Sequence, residues 1–267
     1  MALEVVRADS VRSAAEALAE KGVHFAAGGT LIVRARNSGD VSIQKLVLSD
    51  GLGLDAIDVG NGRVEIGAAV TMAKAAARPE LSFLAPVANE IGGPAVRAMA
   101  TVGGNLFASS PYGDFAVALL ALDAEVAVEG RDGRATLNLE AFLAGRDSQT
   151  GIVRSVAFPL PPDGSFRFVK VTRRHPHGAS VLSIAAVLPF AGGKVKGARV
   201  AYGAMAPTAI RSRAVEKALE GKTLDAAAIE AAAGVATEGC TPASDSFASE
   251  WYRANVLPVH LARLLKG

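Results

Sequence analysis

The sequence has a single cysteine, Cys240, among 267 residues. That excludes an internal disulfide and leaves no set of thiolates for a metal or iron–sulfur site within the chain. The net charge is only +2, and no Lys/Arg run goes with it. A nucleic-acid partner therefore has no electrostatic footprint here. No uninterrupted apolar run approaches the ~20 residues that span a bilayer. Glu4, Arg7 and Asp9 fall where a signal peptide needs an apolar core, so the chain is expected to be cytoplasmic, with no membrane span.

What is present is a core. Half of the residues are hydrophobic and a fifth are charged, the balance of a folded globular chain whose length favours two domains. A strand ends near Arg7. Ser10 then caps an Ala-rich helix with Val11, Ala14, Ala15 and Leu18 on one face, and Gly22 is expected as its C′ residue. "VHFAAGGT" reads as a buried strand entering a glycine turn, and "LIVRARN" begins a helix. Asn61-Gly62 lies between two alternating runs and predicts a β-hairpin through a type I′ turn. Thr71 caps a short helix ended by Pro79, "ELSFLAPVANEIG" reads as helical, and "FAVALLALDAEVAVEGRDGRATLNL" gives a helix and two strands about Arg131–Gly133. The Pro-rich break from Pro159 to Gly164 divides the chain into domains 1–162 and 163–267. Beyond it come three strands, with Gly192-Gly193 between the second and third, and then three helices from Ala209 onward.

Two segments concentrate tight-turn chemistry: "AAGGT" (26–30) and "ATVGGNL" (100–106). Consecutive glycines leave peptide N–H groups free to converge on an anion, and Thr30, Thr101 and Asn105 add hydroxyl and amide partners. Equally, each Gly-Gly taken alone is a left-handed bend with no ligand. Neither turn has Walker spacing or G-x-G-x-x-G, so neither a P-loop nor a Rossmann site is supported.

The pair "AGGTLIVRARN" and "IGGPAVRAMATVGGNLFASSPYGDFAVALLALDAEV", with "KVTRR" (170–174) and "VAYGAMAPTAIR" (200–211), resembles the FAD-binding medium subunit of the molybdenum hydroxylase family. This is the xanthine dehydrogenase and carbon monoxide dehydrogenase group, and the resemblance covers essentially the whole chain. It implies an α+β fold: a vanillyl-alcohol-oxidase-type FAD-binding domain in two α/β parts, then a C-terminal domain of a small antiparallel sheet and a helical cluster. Ala27, Gly28, Gly29, Thr30 and Leu31 match the first loop that cradles the FAD pyrophosphate, and Thr101, Gly103, Gly104 and Asn105 match the second. Asp114 matches an Asp near the flavin, and Val153 and Lys170 fall where the family approaches the ring system. Leu31 itself departs from the polar residue that members often carry there.

The resemblance further implies a relay. Substrate is oxidised at a molybdopterin cofactor on a large subunit, and electrons pass through [2Fe–2S] clusters on a small subunit to a noncovalent FAD here. From there they go to an external acceptor, within a dimer of heterotrimers. The rivals are a free-standing flavin oxidase of the same fold and a non-catalytic assembly protein. His175 and His177 in "HPHG" read as a solvated turn, because no third metal ligand is near. His24 reads as a strand residue, Cys240 as a small residue in a helical domain, and Trp251-Tyr252 as packing at the start of the last helix.

Overall fold

The computed structural model describes residues 3–176 and 178–267, and His177 lies outside the described residues. The chain forms two compact units: one runs up to Ala108 and adds Ala124–Phe158, the other takes Ser109–Asp123 and Pro159–Gly267.

In the first unit, β1 (Glu4–Arg7), α1 (Val11–Ala17), β2 (Val23–Ala26), α2 (Ile32–Asn37) and β3 (Lys45–Leu48) build a parallel sheet of order β1-β3-β2. Ser10 caps α1 in a capping box with Ser13. Val11, Ala14 and Ala15 are its buried face. The helix stops at Ala17 with Leu18 as its cap, so Gly22 is not its C′ residue. Gly22 instead turns the chain into β2 at φ +81°, packed so closely that an added Cβ would stand 3.0 Å from the Ser42 carbonyl oxygen.

The second sheet has the order β4-β5-β8-β6-β7, from β4 (Ile57–Gly60), β5 (Arg63–Gly67), β6 (Glu125–Gly130), β7 (Gly133–Asn138) and β8 (Ile152–Pro159). Asn61 and Gly62 both take positive φ between β4 and β5, the signature of the type I′ turn. Between β5 and β6 the chain makes α3 (Met72–Ala77), a 3-10 stretch (Pro79–Leu84), α4 (Ala85–Asn89), α5 (Pro94–Met99), α6 (Val102–Leu106) and α7 (Asp114–Ala121). α8 (Leu139–Gly145) follows β7, and its neighbour Arg146 donates to the carbonyls of Leu106 and Ala108, satisfying the C-terminal end of α6.

The second unit centres on an antiparallel sheet of order β14-β13-β10-β9, from β9 (Phe166–Thr172), β10 (Ser180–Val187), β13 (Arg199–Gly203) and β14 (Ile210–Arg211). Gly192 and Gly193, both at positive φ, turn a separate two-stranded hairpin, β11 (Phe190–Ala191) and β12 (Lys194–Val195). Every residue of β10 is buried, because both faces of the sheet are covered. One face meets α9 (Arg213–Leu219), α10 (Ala226–Gly234) and α11 (Glu250–Lys266) through Leu182, Ile184, Tyr202, Leu257 and Leu261. The other meets α7, whose eight residues are all buried. α11 buries Arg253, Leu257, Leu261 and Leu265, a stripe at a spacing of four, so Trp251 points away from it and is 69% exposed. The expected packing role for Trp251-Tyr252 is therefore corrected. Among the described residues no helix is long and apolar enough to cross a membrane, and no group of three or more metal-ligating side chains occurs.

Candidate cofactor site

Ala27 to Leu31 connect β2 to α2. Gly29 sits at φ +69°, which re-aims the chain after the strand, and its carbonyl accepts from the Val33 amide at 2.9 Å to start α2. Leu31 is the N-cap and makes no side-chain cap. The amides of Gly28, Gly29, Thr30, Leu31 and Ile32 therefore donate to no acceptor among the described residues. Five adjacent peptide donors without an internal partner form a ready surface for anionic oxygens.

The segment after Ala100 differs from its expected form. Val102–Leu106 is a helical turn, and Gly103 and Gly104 are absent from the positive-φ residues. These glycines are thus not a left-handed bend. Gly103 serves close approach instead: a Cβ there would come within 2.7 Å of the Ala68 Cβ. The local amides are already engaged. Val102 donates to Val70 O at 2.9 Å, Gly103 to Ala68 O at 2.8 Å, and Gly104 to the Thr101 hydroxyl at 3.2 Å. Thr101 is buried as the N-cap, while Gly104 is exposed, with only the Thr101 hydroxyl near its missing Cβ.

The fold brings the two glycine segments together. Gly28 lies against the Met99 carbonyl so tightly that an added Cβ would fall inside that oxygen's radius, with the Ala100 Cα 3.3 Å away. Ala100 is in turn fixed by its carbonyl accepting from Met72 at 2.8 Å. Gly28→Ala is expected to destabilise the protein by about 1–3 kcal/mol, the cost of overpacking a fitted contact. Chemical denaturation of the variant checks it, and an unchanged midpoint would contradict the contact. Val153 lies on β8, buried, next to Arg154, whose carbonyl accepts from Ala68, the residue that abuts Gly103. Met99, Ala68 and Val70 are the supports that sequence reasoning missed, since apolar and small residues carry no signal of a backbone contact.

In the second unit Asp114 opens α7 behind Gly113, which adopts φ +95°. Its Oδ2 pairs with the Lys170 ammonium on β9 at 2.9 Å, and the two side chains are 6% and 5% exposed. Oδ1 accepts from the Ser180 hydroxyl at 2.7 Å. A carboxylate at the start of a helix also meets the favourable end of the helix dipole. Ser180 had no mark in the sequence.

Other candidates stay apart from this chemistry. His24 is a half-exposed residue of β2, and His175 is exposed. Burial pushes the Cys240 thiol up to about 11, so it is neutral and a poor nucleophile near neutral pH.

Residues 1–161 match the model of the FAD binding domain in molybdopterin dehydrogenase, and residues 167–267 match that of the CO dehydrogenase flavoprotein C-terminal domain. The chain is 30% identical to the 6-hydroxypseudooxynicotine dehydrogenase complex subunit alpha of Paenarthrobacter nicotinovorans, covering 98% of this chain and 93% of that one. It is 26% identical to the glyceraldehyde dehydrogenase medium chain of Sulfolobus acidocaldarius, over 66% of this chain and 64% of that relative's length. Among solved structures, carbon monoxide dehydrogenase of Hydrogenophaga pseudoflava lacking the Mo-pyranopterin moiety superposes with a TM-score of 0.92 at 25% identity, covering 100% of this chain and 96% of that one.

Proposed function

The chain belongs to the FAD-binding medium subunits of the molybdenum hydroxylases, and on that footing we propose that it holds one noncovalent FAD and hands electrons from a partner's [2Fe–2S] clusters to an external acceptor. The observation that carries this is the run of unpartnered amides from Gly28 to Ile32, set against the Met99 carbonyl beside α6. Those amides accommodate diphosphate oxygens without a Lys or Arg. Gly104, bare and exposed, lets the phosphates approach the α6 turn, while Thr101 and Gly103 hold that turn in place. Asp114, Val153 and Lys170 are assigned to the flavin ring on the resemblance. Bound FAD supplies the redox chemistry, accepting an electron pair and releasing it, and the protein supplies binding and orientation.

The family resemblance extends this proposal to the partners. One cysteine cannot ligate an iron–sulfur cluster. In this proposal the molybdopterin cofactor and the clusters sit on a large and a small subunit, assembled with this one as a dimer of heterotrimers in the cytoplasm.

The test is the purified chain with and without those subunits. Alone, it is expected to be yellow, to release its chromophore into the supernatant on acid precipitation, and to be reduced by dithionite while oxidising no organic substrate. Co-expressed with the two partner subunits, it is expected to co-purify with them. Colour retained in the acid pellet would overturn noncovalent binding, and a colourless folded complex would remove the site. Turnover of aldehydes or N-heterocycles by the chain alone would establish a free-standing oxidase instead.

A further inference from the structure

The pairing of β9 with β10 contains one irregularity, and it bears on Lys170. Lys170 stands opposite Ser183, and Val171 opposite Leu182, but Thr172 stands opposite Ser180, so Val181 is an extra residue with no partner on β9. In a regular strand side chains alternate, and Ser180 would share the face of Leu182, which is packed in the core under α11. The bulge moves Ser180 to the other face, the one that carries Lys170 and Ser183. Only there does its hydroxyl reach Asp114.

The bulge is held by one side chain. Arg253, 1% exposed on α11, donates from Nε to the Val181 carbonyl at 2.9 Å and from Nη2 to the Ser180 carbonyl at 3.4 Å. It is anchored behind by Ala243 O at 2.6 Å and Asp245 Oδ2 at 2.8 Å. Burial alone would raise the Asp245 carboxyl. The Arg253 hydrogen bond and the Ala248 and Phe247 amides hold it below the usual range, so the anchor is ionised.

We propose that Ser180 and Arg253 are positioning residues for the Lys170 ammonium. The guanidinium fixes the bulge, the bulge aims the Ser180 hydroxyl at Oδ1 of Asp114, and the carboxylate, held at both oxygens, presents Oδ2 to Lys170 in one orientation. A carboxylate that has lost its Ser180 hydrogen bond has more freedom about its χ2, and the direction in which Oδ2 meets the ammonium is no longer fixed. This rests on the reading that Lys170 contacts the flavin. A cation fixed beside a flavin favours its electron-rich reduced form, so a displaced ammonium lowers the midpoint potential.

The experiment uses the FAD-loaded complex and its apo form, with flavin midpoint potential, FAD dissociation constant and thermal midpoint measured on Ser180→Ala, Arg253→Lys and Lys170→Gln. Lys170→Met serves as a second neutral variant should the Gln variant not fold. Ser180→Ala is expected to lower the potential and weaken FAD binding roughly three- to tenfold, the worth of one hydrogen bond. Arg253→Lys, whose single nitrogen cannot span the acceptors that the guanidinium reaches from three, shifts both in the same direction, and the double variant goes little further than either single. If the Lys170 variant moves both readouts while Ser180→Ala changes only the thermal midpoint, Ser180 is structural and the positioning role is overturned. If the Lys170 variant moves neither readout, its assignment to the flavin fails, and the positioning role fails with it.

Discussion

Gly104→Asp is expected to lose at least ~100-fold in FAD affinity while the protein stays folded. A unit negative charge ~4 Å from a phosphate oxygen costs about 4 kcal/mol at an effective dielectric near 20, or about three decades in affinity, and exposure to solvent lowers that figure. The fold tolerates the side chain because Gly104 is exposed, has helical φ and has only the Thr101 hydroxyl, at 3.0 Å, near its missing Cβ. Gly104→Ala separates charge from bulk, because it adds the same Cβ and, in a helical turn, gains up to ~1 kcal/mol of propensity. Titrating apo-protein with FAD reads both. An affinity unchanged in Gly104→Asp would mean that the phosphates lie elsewhere.

Asp114→Ala is expected to remove about 3–5 kcal/mol of stability, because it leaves the Lys170 ammonium buried without its counter-charge. Both side chains are nearly inaccessible, so the remaining charge is poorly solvated. The Ser180 hydroxyl loses its acceptor as well. Against a typical margin of about 5–15 kcal/mol, that is a large fraction of the whole. The double variant Asp114→Leu/Lys170→Met removes both charges and is expected to recover most of the loss. Denaturant unfolding of the single and double variants decides it. A single variant as stable as the parent would show that the pair contributes nothing.

The sequence was most legible where a residue type has one local use. Ser10 capped its helix, and Asn61-Gly62 made its hairpin, because hydroxyl caps and left-handed residues act within a few positions. It was misleading at Gly103-Gly104, where glycine's usual association with bends pointed to a turn. There the cause is the Ala68 backbone, brought close by a contact 35 residues distant in the chain. The same limit hid Ser180: a register slip between two strands leaves no mark in either strand's composition. Trp251 failed for a related reason, since α11 chose its inner face by the Arg253–Leu257–Leu261–Leu265 stripe and the aromatic fell outside it.

The membership of α7 limits how the chain can be divided. It lies between two segments of the first unit, yet its Val117 would meet any Cβ added at Gly203, and its Ala121 carbonyl accepts from Arg199 on β13. A fragment ending at residue 162 would carry eight apolar-packed residues stripped of their sheet, and the complementary fragment would have that sheet face bare and Lys170 without Asp114. No single scission of this polypeptide yields two complete halves. Splitting the gene at the Pro-rich break separates a helix from the surface it was made to cover.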